Sequence, residues 1–219
     1  MASSLLFISI SKNSLFLTTY SKLRCSKQLK GCTLFLKMNL KAEILKEHSY
    51  ENSEKIAWDI MENPHYLNDL FQLFWENDYR ITQRATWAII IITEWKPKLI
   101  KPFVEKMILT LKMKAINDSI KRNTVRILAE FPIPLHMEGE ITEICFGYLN
   151  NPAEAIAIKV FSMTILERMV EKHPELKAEL IYAIETGMEF GSAGYRSRGG
   201  KILTKLRTKP TVMIPRKIF

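Results

Sequence analysis

The sequence predicts an all-α fold: a right-handed α-α superhelix of about four helix pairs preceded by a partial repeat. Three observations predict it. Apolar residues recur at helical spacing, as in Ile81, Ala85, Ala88, Ile92 and Trp95, whose steps are +4, +3, +4 and +3. A basic residue opens the second helix of each pair, at Arg84, Arg122, Lys159 and Arg198, with separations of 38, 37 and 39 residues. No strand pattern lies between these units, and a fixed period of this length without strands marks a helical solenoid. The β-branched run Ile89 to Ile92 could pass for a strand, but its stripe is longer than an ordinary strand.

The elements follow in order. MNLKAEILKEH opens a helical pattern at Met38, and Ser53 is a candidate cap for the helix EKIAWDIMEN, which Asn63-Pro64 ends. PHYLNDLFQLFWE aligns Leu67, Leu70, Phe71 and Phe74, and the Asn77-Asp78 turn leads into the helix of Ile81 to Trp95. Apolar residues there spread to Ile89, Ile90 and Ile91, so neighbouring helices should cover both flanks. Lys96-Pro97 breaks it, and KLIKPFVEKMILTLKMK aligns Ile100, Phe103, Val104, Met107 and Leu111. The Asn117-Asp118 turn enters SIKRNTVRILAEF, which Pro132 and Pro134 end in a loop. EITEICFGYLN, the Asn150-Asn151-Pro152 turn and AEAIAIKVFSMTILERMVEKH make the next pair. Pro174 opens ELKAELIYAIETGMEF, and Gly191 to Gly194 turn into YRSRGGKILTKL. The expected organisation is an extension over 1–37, a solenoid over 38–206 and an irregular basic tail over 207–219.

Charge divides the same way. The net charge is +9, yet residues 1–37 hold six Lys and Arg and no acid, and residues 194–219 hold eight and no acid. Removing those 14 from the 32 Lys and Arg leaves 18 against all 23 acids, a net of −5 for the body. The overall basic balance is therefore no argument for nucleic acid on the solenoid. Residues 1–37 have two readings: a plastid-type transit segment, or sequence upstream of a true start at Met38. Cys25, Cys32 and Cys145 make no disulfide framework or CxxC pair, and no run reaches the roughly 18 apolar residues of a membrane span. The expected location is cytoplasmic, or an organelle if 1–37 is a transit peptide, with no membrane partner.

Helix, Asp or Asn turn, then a basic residue opening an Ala-, Leu- and Ile-rich helix resembles the HEAT repeat of the armadillo-type superhelix family, from Ser53 to about Leu206. The closing GSAGYRSRGGKIL and central KRNTVRIL look like a group of small bacterial HEAT-like proteins. The resemblance implies a curved solenoid that binds partners, generally proteins and sometimes nucleic acid. A HEAT-like family of DNA alkylation repair glycosylases holds duplex with Trp, Asp and Arg. Trp87, Asp118, Arg122 and Arg126 are residues of that type here, but the motif does not match residue by residue, so no catalytic role is carried over.

The candidate binding residues are Arg84, Arg122, Arg126, Lys159, Arg196, Arg198 and Lys201, and no catalytic residue is assigned. A basic ladder could grip phosphates; pairing with turn acids such as Asp78 is the stronger reading for an acidic body. Trp58, Trp75, Trp87 and Trp95 fall on or beside helical stripes, which favours core packing over base stacking. His48, His65, His136 and His173 have no i, i+3 or i, i+4 partner among themselves, so neither metal nor cofactor is expected. GSAGYRSRGG lacks the GKS/T ending of a phosphate loop. Gly191 and Gly194 suit a turn, and Gly199-Gly200 a close helix approach. Glu138, Glu140 and Glu143 read as a solvated first turn. A protein partner is expected, with nucleic acid reached through the basic C-terminal end as the alternative.

Overall fold

The structure, a computed structural model, describes residues 39–208 apart from 77, 114 and 115. The tail bases Lys209, Arg216 and Lys217 and the extension 1–37 lie outside the described residues. Ten α-helices are described: α1 Leu40–Lys46, α2 Tyr50–Glu62, α3 Leu67–Trp75, α4 Tyr79–Trp95, α5 Pro97–Leu111, α6 Asp118–Glu130, α7 Glu138–Asn150, α8 Ile156–Lys172, α9 Lys177–Met188 and α10 Ala193–Thr208. No strand occurs among the described residues. Each odd-numbered helix packs on the even one after it, and the even helices α2, α4, α6, α8 and α10 pack in series. That is a two-layer α-α superhelix of four full pairs, with α1 and α2 as a short first unit.

The core lies between the layers. On α4 the stripe Ile81, Ala85, Ala88 and Ile92 is buried, and Ile89 and Ile91 are buried on its flanks against α2, α3 and α6. Full burial of one such Ile contributes about 1.5–3 kcal/mol. Trp95, the last residue of that stripe, is 45% exposed because the helix ends there. Lys96 N–H makes the last backbone bond, to the Ile92 carbonyl, and Pro97 opens α5 without a donor to lose. Ser53 is buried inside α2 instead of capping it; the cap is Ser49, whose hydroxyl accepts from the Asn52 N–H at 3.1 Å. The helix begins a turn earlier than the periodicity marks.

Helix C-termini leave carbonyls without intrahelical donors, and here later repeats supply them. Arg84 Nη1 donates to the Ile44 and Leu45 carbonyls at the end of α1, at 3.1 and 2.8 Å. Lys96 Nζ donates to the Met61 carbonyl of α2 at 3.1 Å, and the Tyr148 hydroxyl to the Leu111 carbonyl of α5 at 3.1 Å. Arg168 donates to the Leu128, Ala129 and Phe131 carbonyls at the end of α6, at 3.1, 2.7 and 2.8 Å. The device ties successive units together, and the bonds from Arg84, Lys96 and Arg168 are charge-assisted.

At the C-terminal end Tyr195 is buried and its hydroxyl donates toward the Ala183 and Ile184 carbonyls at 3.4 Å. Its ring fills the space that a Cβ at Gly187 or Gly191 would take. A Cβ at Gly199 would stand 2.9 Å from Ile184 Cγ2 and 3.2 Å from Met188 Sδ, so this glycine permits α9 and α10 to approach. Gly200 has open space around it and plays no such part, and Gly194 lies inside α10 instead of in the turn.

Candidate functional site

The expected basic ladder separates into side chains with different jobs. Arg84 caps α1, as above. Arg198 directs Nε and Nη2 to the Thr164 hydroxyl at 3.0 and 2.6 Å. Lys159 is half-buried and Arg196 and Lys201 are exposed, none with an ion-pair partner among the described residues. Arg122 and Arg126, both half-buried, are brought together one turn apart on α6, on the side that meets α4.

That side faces an aromatic stripe on α4. The Arg122 guanidinium stands 5.7 Å from the Tyr79 ring centre, and that of Arg126 stands 5.5 Å from the Trp87 ring. His48 and Tyr50 meet the Trp87 ring edge-on at 6.4 and 6.5 Å. Burial first, and then the charge of Arg122, lowers the Arg126 pKa, while Glu130 opposes the shift. Neither arginine has a carboxylate at ion-pair distance among the described residues. Trp87 is half-buried, not a core residue, and Trp58 and Trp75 are half-buried too. Trp58 packs on Trp95 at 5.5 Å, and Trp75 lies beneath Lys106 Nζ at 3.9 Å. The four tryptophans therefore edge the core instead of filling it. An apolar stripe on a helix covered from two sides is broad, and spacing alone does not separate its rim from its centre.

Further along the same two helices lies a cavity of about 140 Å³, walled by Ile90, Thr93 and Ile127 and bordered by Glu94 and Glu130. Burial, then the charge of Glu130, raises the Glu94 carboxyl above its ordinary value.

Lys121 and Arg122 are neighbours in sequence but not in function. Lys121 Nζ pairs with Glu154 at 3.1 Å and reaches Asp118 at 3.5 Å. Glu154 precedes α8, so a turn acid does meet a base of the preceding repeat, though not where the periodic bases stand. Asp78 caps α4 through Oδ1, which accepts from the Arg80 and Ile81 N–H groups at 2.8 and 3.0 Å, and it makes no bond to Arg84 among the described residues.

The three glutamates of α7 are not one solvated cluster. Glu138 is 3% exposed and binds Lys172 and His173, the latter through Nε2 at 2.9 Å. Glu140 pairs with Lys112, and Glu143 is exposed. A helix turns 100° per residue, so positions 138, 140 and 143 point different ways. A second cavity, about 270 Å³, borders Glu138, Thr142, His173 and Glu175. Burial pushes the Cys145 thiol up to about 12, which keeps it a protonated, unreactive thiol at neutral pH.

Residues 194–219 carry no acid of their own, yet acids of neighbouring helices partly balance the bases of α10. Lys205 pairs with Glu167 and Glu171 of α8 at 2.6 and 3.1 Å, and Arg207 pairs with Glu185 of α9. Arg168, the most heavily bonded arginine described, was not expected. It lies nine residues beyond Lys159, so aligning helix starts gives no signal for it.

No helix among the described residues is long and apolar enough to cross a membrane. No curated protein and no solved structure matches the chain. Nothing found supports the narrower likeness to small bacterial proteins. A family model described as the HEAT repeat domain matches residues 40–206.

Proposed function

The chain belongs to the HEAT repeat family, and from that premise we propose that it is a non-catalytic binding or scaffold module whose partner is a protein. HEAT repeat domains generally mediate protein–protein interaction or scaffolding. The observation that carries the reading is the open face of α4 and α6. Arginines without carboxylate partners lie over aromatic rings there, a composition typical of interface hot spots.

The second reading is a nucleic-acid-binding HEAT protein related to alkylation repair glycosylases. The meeting of Trp87 with Arg126 favours it, since base stacking and phosphate contact use these residue types. Against it, Glu94 and Glu130 border the cavity further along the same two helices and repel phosphate. Lys159 on α8 and Arg196 and Lys201 on α10 are further candidates for polyanions. Affinity capture with the full chain, with and without nuclease, separates the readings. Protein partners should survive nuclease and be lost with Arg122→Gln and Arg126→Gln together. Capture abolished by nuclease would replace the protein reading with the nucleic-acid one.

A further inference from the structure

The groove between α4 and α6 is charged in two halves. Arg122 and Arg126, backed by Tyr79 and Trp87, occupy the half nearer the helix N-termini. Glu94 and Glu130 border the cavity at the other half. Arg126 and Glu130 are one turn apart on α6, a rise of about 6 Å, and Arg122 and Glu130 two turns, about 12 Å. Arg122 and Arg126 are half-buried beside these rings, and a guanidinium carries five N–H donors in a planar fork that a carboxylate matches in two places.

We propose that this groove binds an extended segment of a protein partner carrying one carboxylate and one Lys or Arg side chain two to four residues apart. The carboxylate sits on Arg122 and Arg126, and the cation sits between Glu94 and Glu130. An extended chain advances about 3.3 Å per residue, so 6–12 Å corresponds to about two to four residues. The aliphatic stem of the partner's Lys or Arg lies along half-buried Ile90 with its charged head outside the cavity. A cation there relieves the two carboxylates of each other, and mutual repulsion already contributes to the raised Glu94 pKa. A polyphosphate backbone fits poorly, because every phosphate placed on Arg126 brings the next toward Glu130. A bound divalent metal has no support, because no group of three His, Cys, Asp or Glu residues suited to one occurs among the described residues.

The proposal rests on the protein-binding reading, and its test is chosen to fail separately. Short immobilised peptides of Gly, Ser and Ala, each with one Glu and one Lys at varied separation, are probed with the full chain at low salt. Peptides with Glu alone or Lys alone, and an oligothymidylate, serve as controls. Binding should peak at separations of two to four residues, about tenfold above either single-charge peptide. Arg122→Gln with Arg126→Gln should reduce the peak to the level of the Lys-only peptide. Glu94→Gln with Glu130→Gln should reduce it to the Glu-only level. Glu94 and Glu130 are exposed and Arg122 and Arg126 half-buried, and a melting curve for each double variant confirms that it is folded. A flat dependence on separation, or an oligothymidylate that outcompetes every peptide, overturns the proposal. If the response is flat but the arginine variant still loses a nuclease-resistant partner, the bipolar groove is wrong and the protein-binding reading stands.

Discussion

Asp78 offers its Oδ1 to two backbone N–H groups that α4 cannot satisfy internally, at 2.8 and 3.0 Å. Asp78→Ala should therefore lower stability by about 1 kcal/mol, and Asp78→Asn by less, because the amide oxygen also caps. Equal losses in a urea titration would show instead that the charge itself matters. Glu138 gives a pH-dependent case. Hydrogen bonds from Lys172 and then His173 hold its pKa below the ordinary carboxylate value, against the opposing effect of burial. A carboxylate depressed in the folded state adds stability above its unfolded pKa and loses it as pH falls through the folded one. The midpoint of thermal unfolding should fall on the acid side of the ordinary Glu range, and more steeply in the native chain than in Glu138→Gln. Superimposable acid limbs would remove Glu138 from the account.

Helix ends and helix contacts carry the next set of effects. Gly199 and Gly200 are adjacent in sequence and opposite in consequence. A Cβ at Gly199 meets the buried, β-branched Ile184, and Gly199→Ala should cost about 1–3 kcal/mol by overpacking. Gly200→Ala enters open space on a helix and should stabilise by about 0.5–1 kcal/mol. Equal effects on the unfolding midpoint would contradict the close approach of α9 and α10. The helices themselves were legible because each carries an apolar stripe between Pro, Asn or Asp punctuation; Asn117 of the expected turn caps α6, and Asp118 is already its first residue. The candidate site was legible only in part. Arg122 and Arg126 stand four residues apart in the sequence, one helical turn, but their aromatic backing depends on the lateral packing of α4 against α6. No spacing within one helix encodes that packing. Lys121 and Glu154 are 33 residues apart, and only the stacking of units brings them to 3.1 Å. The charge polarity along α4 and α6 is a property of two helices and is written in neither.

Across the whole molecule each unit contacts chiefly the units before and after it, so stability is close to a sum of local terms and neighbour terms. Residues 1–37 share no period with the solenoid. A chain beginning at Met38 should therefore unfold at the same midpoint as the full chain, within the error of a circular-dichroism melt. A midpoint clearly lowered by that truncation would give the extension a structural role. Even helices packed in series present one continuous side of the molecule, on which the arginine–aromatic groove occupies the stretch formed by α4 and α6. Removing one of its charges should therefore alter recognition with little change in stability.

The long-range caps bear on how the chain is made. Arg84 bonds to carbonyls 39 and 40 residues before it, and Arg168 to carbonyls 37, 39 and 40 residues before it. At a synthesis rate of about 5–20 residues per second, each helix end waits about 2–8 s for its donor to be translated. A helix itself forms in about a microsecond or less. On the nascent chain the last turns of α1 and α6 therefore stay open to water until the unit that caps them has been made.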